Sequence, residues 1–360
     1  TQVFDGLERL VSSTSTGQRT FTYTENSLDP VKEVSPRGTL TYESIPQLGS
    51  AAKSIKGKDL HHQFSYAKGT GLLSQYKDQS GLDVTLGYGA LSSPVNETIV
   101  PAKDQPALTQ SLAWSPNGRC TGYKDVAGVT QARRYDARGN VVEVDDPDIK
   151  VTAVYGAFNR MKSQVITRKK SAEKLTIEYS YNALGEEVER RIVPADKSKA
   201  VTVQHTYRKN RQLATRTVIA KGQTVRKESF SYDNRNMLSG YECSGSELNL
   251  DSFGKAITKL ELTNDALGNI VTCISHFDGG SDTATFHYDN PQVPCQLSKI
   301  SHTHADYPAV IELKYDANGC MTKNEKGQTL SYGALNRLAS LEAAKHTYLY
   351  HYDPQGRLRS

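Results

Sequence analysis

Two histidines flank a threonine at His302-Thr303-His304. On an extended strand this spacing sends both imidazoles to one face, as a strand would present two ligands to a metal ion. Asp306 is the one further ligand type close by. The plainer reading, polar residues of a loop or strand end, is preferred. His61 and His62 are adjacent, so an extended chain sends them to opposite faces. Asp145-Asp146-Pro147-Asp148 has the oxygens for Ca²⁺, but an acidic turn stopped by proline explains the same residues.

Glu187-Val188-Glu189 has the paired glutamates of ADP-ribosyltransferases, yet it directly follows a turn signal and reads as one face of a strand. Gly69-Thr70-Gly71 lacks the third glycine and the helix of a dinucleotide loop. Gly57-Lys58 is followed by Asp59, not by the Ser or Thr of a phosphate loop. Asn96-Glu97-Thr98 is a formal glycosylation sequon, without meaning in a bacterial chain. H-E-x-x-H and G-x-S-x-G do not occur. The sequence therefore assigns no catalytic, cofactor-binding or metal-binding residue, and implies no cofactor.

The elements that would position such residues are set by a repeat. Tyr315-Asp316-Ala317-Asn318-Gly319, Tyr332-Gly333-Ala334-Leu335-Asn336-Arg337-Leu338 and Tyr352-Asp353-Pro354-Gln355-Gly356-Arg357-Leu358 share one pattern, Tyr-Asp-x-x-Gly-Arg/Asn-apolar. Tyr closes an incoming strand and lays its ring on a neighbour. The Asp carboxylate accepts from backbone N–H groups of the turn. Gly supplies the positive φ of a tight reversal, and the apolar residue opens the returning strand. Each copy reads as one β-hairpin. Further copies start at Trp114, Tyr135, Tyr155, Tyr181, Tyr207, Tyr232, Asn264 and Tyr288, mostly 17 to 32 residues apart. That period fits two short strands and two turns.

Between the turns the residues alternate. Leu175, Ile177, Tyr179 and Tyr181 oppose Thr176, Glu178 and Ser180; Tyr348, Tyr350 and Tyr352 oppose Leu349 and His351. No long stretch has helical periodicity. The expected fold is all-β, with degenerate repeats over 1–113 and regular ones over 114–360, continuous as one sheet domain. Residues 51–58 and the three-proline stretch 94–106 read as irregular, and 194–200 and 250–255 as longer loops.

Composition agrees. Of 360 residues only 37% are hydrophobic, and the mean hydropathy is −0.57. That is lean for a filled globule and suits a sheet with one packed and one wet face. The 20 Tyr, against 8 Phe and 1 Trp, tolerate such half-buried positions, ring packed and hydroxyl wet. Net charge is +5, mixed along the chain without a basic block, so a solvated surface is read rather than a nucleic-acid partner. No apolar run reaches transmembrane length. The five cysteines are widely spaced without a C-x-x-C pair and read as free thiols on strands. A first copy, Phe4-Asp5-Gly6-Leu7-Glu8-Arg9-Leu10, stands at the start and another at the end, so the chain is expected to be a piece of a longer polypeptide with an incomplete sheet.

These repeats resemble the Rhs, or YD-repeat, family, and more closely the repeat region of bacterial insecticidal toxin complexes in their B and C components. Phe4 to Leu10, Tyr232 to Leu238 with Ser244-Gly245-Ser246-Glu247-Leu248, and Tyr315 to Leu338 carry the likeness. The resemblance implies a long antiparallel sheet spiralling into a hollow shell or trough that encloses a cytotoxic polypeptide. It implies secretion, association with further repeats and with a C-terminal core and toxin, on the same or a companion polypeptide, and docking on a translocation channel. It also implies that the propeller, the self-cleaving core and the toxin lie outside this sequence. The chain is thus expected to be non-enzymatic. The rival reading is a cell-surface or wall-associated adhesin that holds carbohydrate on exposed Tyr faces.

Overall fold

The computed structural model describes residues 1–14, 17–25 and 27–359. Its regular structure is antiparallel β, as the alternation requires; the only helical turns among the described residues are four 3₁₀ segments of three residues each. Within a sheet, strands pair with their neighbours in sequence, as in Met161–Arg168 with Lys174–Tyr181 and Lys174–Tyr181 with Glu187–Val193.

The chain forms two compact units. The first comprises Thr1–Gly118, Tyr288–Lys299 and Ile311–Ser360. Its C-terminal part is a five-stranded sheet of short hairpins, from Lys314–Tyr315 to His346–Leu349. The second comprises Arg119–His287 and Ile300–Val310. Each has a small apolar centre. In the first, Tyr76, Leu82 and Val84 are buried with Phe64, Leu73, Leu86 and Ile99 against them. In the second, Tyr241, Cys243, Ile257, Phe277 and Tyr307 are buried together. Most other strand residues are only half-buried, in keeping with the lean composition.

The register reveals a feature that the repeat pattern does not announce. At each Tyr the ladder slips: Val154 pairs with Ser163 but Tyr155 with Met161, and Ser180 pairs with Glu189 but Tyr181 with Glu187. One residue of the returning strand, Lys162 or Val188, is thereby bulged. The same slip recurs at Tyr135, Tyr207, Tyr232, Asn264, Tyr315 and Tyr332. A bulge bends its strand and increases local twist, so every repeat applies the same bend.

Three expectations need correction. Residues 51–58 are not a loop: Ala51–Gly57 is a strand between Gly38–Ile45 and Leu60–Tyr66. Its Lys53 and Lys56 point outward while Ser54 is buried, and pairing on both sides outweighs a composition poor in strand formers. Most of 94–106 is ordered too, as Pro94–Val100; Pro94 is its first residue, where a missing N–H is tolerated. At the other end, His346–Leu349 is exposed along its whole length, with Tyr348 and Leu349 49% and 62% exposed, so the expected two-faced alternation there does not sort inside from outside.

Candidate functional site

The recurring unit is the Tyr-Asp turn. Asp136 Oδ1 accepts from the N–H of Arg138 and of Asn140, both at 2.9 Å; Asp265 Oδ1 does the same for Leu267 and Asn269. Asn182 replaces Asp and makes the same two bonds at 3.0 Å through its amide oxygen. The tyrosine hydroxyls are not wet, contrary to expectation. Tyr135, Tyr155, Tyr181, Tyr207 and Tyr232 donate to the backbone carbonyls of Cys120, Val141, Met161, Glu187 and Leu213, at 2.6 to 3.1 Å. Each acceptor belongs to the preceding repeat's returning segment. Burial raises the Tyr181 and Tyr207 hydroxyls above their ordinary value, which keeps them donors.

The motif arginine completes the link. Arg9, Arg119, Arg160 and Arg337 lie over the rings of Tyr23, Tyr135, Tyr181 and Tyr352, in each case the tyrosine that closes the strand before the next Tyr turn, at 4.7 to 5.8 Å. The glycine of the next turn makes room. Gly185, at φ +85°, has the Arg160 guanidinium where a Cβ would stand, and Gly139 does the same for Arg119.

Within the first unit two polar knots use this grammar over long range. Cys320 occupies the position at which a motif arginine would reach Tyr332. Arg37 takes that role: its guanidinium carbon is 5.2 Å from the Tyr332 ring centre, Nη1 donates to Tyr332 O at 3.1 Å, and Nε donates to Asn336 Oδ1 at 2.5 Å. Its Nη2 pairs with Asp316. In the second knot, Arg357 lies over Tyr76 at 5.8 Å and donates to Asp353 Oδ2 at 2.7 Å and Glu97 Oε2 at 3.1 Å. Tyr76, Glu97 and Asp353 are all buried. Burial alone would raise the Glu97 carboxyl, but Arg357, Gln110 and Tyr76 as donors hold it below its ordinary 4.5.

Beside these knots, still in the first unit, is a cavity of about 440 Å³ lined by Leu60, His62, Asp78, Pro101, Leu335 and Tyr350, among others. His62 is 4% exposed and its Nδ1 has no hydrogen-bond partner. Burial holds its pKa below 6.5, so the ring is neutral. Asp78 staples its own turn, accepting from Ser80 and Leu82 N–H through Oδ1, and pairs with Arg359 through Oδ2. The arrangement locks hairpins together; it does not align a nucleophile with a base.

The candidates named from sequence fall apart in space. Residues 302–309 are not a strand: Asp282 accepts from His302 Nδ1 at 2.7 Å and from the N–H groups of Thr303 and His304 at 3.0 Å, pinning the loop. His302 stacks on Tyr307, while His304 sets its edge to Phe277. Among the described residues no group of three or more His, Cys, Asp or Glu could hold a metal. His61 and His62 lie on Leu60–Tyr66. Asp146 caps the acidic turn by accepting from Asp148 and Ile149 N–H, and Asp145 and Asp148 pair with Lys169 and Lys170. Glu187 pairs with Arg190, and Glu189 accepts from Gln204. Gly69 to Gly71 are a turn, and Glu97 of the sequon is the buried anion of the second knot. Sequence reading missed Arg37, Glu97 and Arg357 as a group. The one available signal was the missing arginine at Cys320.

Residues 114–148 match the RHS Repeat family model. No curated protein matches the sequence. Among solved structures, the chain is similar to a TcdB2-TccC3 complex without its hypervariable C-terminal region, with 13% identity and a TM-score of 0.55 over 99% of this chain and 23% of that one. It is similar to a TcdB2-TccC3-Cdc42 structure (12% identity, TM-score 0.53, 99% and 26%) and to a Photorhabdus luminescens Tc holotoxin pore (13%, 0.51, 99% and 25%). The chain spans about a quarter of the length of the chains it matches. It thus carries an Rhs repeat, and it has the fold of Tc toxin repeat chains.

Proposed function

We propose that this chain is a stretch of wall in a toxin-associated Rhs shell, enclosing a toxic polypeptide until delivery to a target cell. The observation that carries the reading is the fold likeness to the TcdB2-TccC3 complex over 99% of the chain, joined to the RHS repeat at 114–148. The links between repeats support it. Tyrosine hydroxyls, Asp staples and arginine stacks tie each hairpin to the next through its turns, so the sheet keeps its form without a filled core. A wall needs that property, and needs no catalytic group.

In this reading the repeats of 1–113 and 114–360 continue one another and work with further repeats, a core and a toxin on the same or a companion polypeptide. The assembly is exported and engages a translocation channel. No helix among the described residues is long and apolar enough to cross a membrane. The adhesin reading is not adopted, because four of the rings it would offer to carbohydrate, Tyr23, Tyr135, Tyr181 and Tyr352, already have an arginine over them.

The test is protease protection in the natural polypeptide that contains these residues. A segment outside the repeats should resist added protease until the repeat sheet is unfolded by denaturant. Digestion of that segment at the same rate with the sheet intact would overturn the reading.

A further inference from the structure

The repeat places alternate turns at opposite ends of its strands, so a run of hairpins has a rim of Tyr turns and an opposite rim. In the first unit one rim is seated on the other. The Tyr turns of 316–320, 333–337 and 353–357 meet the opposite turns of the N-terminal strands. Arg37 reaches Asp316, Tyr332 and Asn336, Gly17 abuts the Ala317 carbonyl, and Arg359 donates to Pro101 O and reaches Asp78.

The second unit supplies a control. Tyr155-Gly156-Ala157-Phe158-Asn159-Arg160-Met161 repeats Tyr332-Gly333-Ala334-Leu335-Asn336-Arg337-Leu338 almost residue for residue. In the seated copy Leu335 is half-buried and faces the cavity shared with Leu60, Pro101 and Ala102. In the other copy Phe158 is 85% exposed and held at φ +57°. Arg160 lies over one face of the Phe158 ring, 5.4 Å from its centre, and the rest of the side chain is left to solvent on a backbone that a bulky residue seldom adopts. The next Tyr turn presents Leu184, also exposed, two strands or about 10 Å away. Between the two turns a notch of about 280 Å³ is floored by Arg160, Lys162, Tyr179 and Tyr181. The unit's opposite rim shows Val126, Val129 and Ile149 to solvent.

We propose that the Tyr-turn rim of the second unit, centred on Phe158 and Leu184, docks the opposite rim of a second copy of this chain, with Val126 and Ile149 placed opposite them as Leu60 and Pro101 are placed across a shared cavity from Leu335 in the first unit. The occupant is argued from the seated twin: in this protein, the known cover of a Y-G-A-[FL]-N-R turn is a row of opposite turns of the same repeat. Because the two surfaces differ, the contact is head-to-tail and leaves a free rim at each end, so association continues past the dimer. The inference does not rest on the shell reading.

The experiment is sedimentation velocity on the full chain across a concentration series. The wild type should form species larger than dimers. Phe158→Asp with Leu184→Asp should be monomeric, and so should Val126→Asp with Ile149→Asp, both with the wild-type melting midpoint because all four side chains are exposed. Each double variant keeps the rim the other has lost, so an equimolar mixture should give a one-to-one dimer and nothing larger. A monomeric wild type at every concentration, association that survives either double variant, or a mixture that stays monomeric would each overturn the proposal. So would Phe158-dependent binding of a monomeric wild type to phosphatidylserine vesicles, which would make the rim a membrane contact.

Discussion

Arg37 lies over the ring of Tyr332, 295 residues further along the chain, in the relation that Arg119 has to Tyr135 and Arg337 to Tyr352 one repeat apart. The repeat before Tyr332 has Cys320 where it would carry its own arginine, and a distant turn fills the place. The same contact thus serves as a link between neighbours and as a clasp between the ends of one unit.

Replacing Arg37 by Ala should destabilise the first unit by about 2 kcal/mol, since it leaves the mostly buried Asp316 carboxylate without its cation. Arg37→Lys should rescue little, because one ammonium cannot meet three acceptors spread over a planar fork. Adding Cys320→Arg to Arg37→Ala should recover part of the loss by supplying the cation from the preceding repeat. Urea unfolding with hydrogen exchange resolved to 314–349 measures each step, and equal midpoints for wild type and Arg37→Ala would refute the clasp.

The tyrosine hydroxyls act one by one. Tyr181→Phe keeps the ring under Arg160 but leaves the Met161 carbonyl short of a donor, and should cost about 1 kcal/mol. Tyr348→Phe, on the exposed last strand, should cost nothing measurable. Equal effects at the two positions would mean that composition, not the hydroxyl link, explains the tyrosines.

Two turn glycines separate backbone strain from crowding. Gly118 is at φ +77° with open space around its missing side chain, so Gly118→Ala should cost about 1 kcal/mol for the left-handed backbone alone. Gly185 is at φ +85° with the Arg160 guanidinium in the way. Gly185→Ala must also push that arginine off Tyr181 and should cost clearly more. Matched thermal melts decide this, and the same pair in an Arg160→Ala background should converge.

The hairpins at Tyr135 and Tyr315 are the plainest in the sequence because three local signals coincide there: Tyr at the bulge, Asp stapling two N–H groups, and a glycine with positive φ, Gly139 and Gly319. Ala51–Gly57 was not legible, because its Lys and Ser residues are set by strands on either side rather than by their own propensity. Phe158 falls at a variable position of its turn, where the motif sets no direction for the side chain; the backbone at φ +57° turns it outward. The knots were illegible for a simpler reason. Nothing local to Arg37 or Arg357 says which of many tyrosines lies opposite, and only folding brings Glu97 to Arg357, 260 residues away.

Stability should fall with acid in two steps. His62 is buried and neutral, its pKa lowered first by burial and then by Arg337 and His61, against the opposing pull of Asp78 and Asp353. A base whose folded pKa is depressed binds fewer protons folded than unfolded, so its contribution is present above the unfolded value of 6.5 and drains away as pH falls below it. The second step belongs to Glu97 in the first unit and to Glu228 and Asp282 in the second. Burial opposes their ionisation, but Arg357, Arg216 and His302 respectively outweigh it and hold all three below their ordinary values. Their contribution is complete above pH 4.5 and is lost as pH falls through the lowered folded values. Urea midpoints should therefore decline gently from pH 7 to 5 and steeply below 4.5. His62→Phe should flatten the first decline, and Arg357→Leu should weaken the second in the first unit while lowering stability at neutral pH by about 3 kcal/mol, because Glu97 and Asp353 are then buried without a cation. A midpoint that stays level from pH 7 to 3 would remove the Arg357 knot and His62 from the account of what holds the first unit closed.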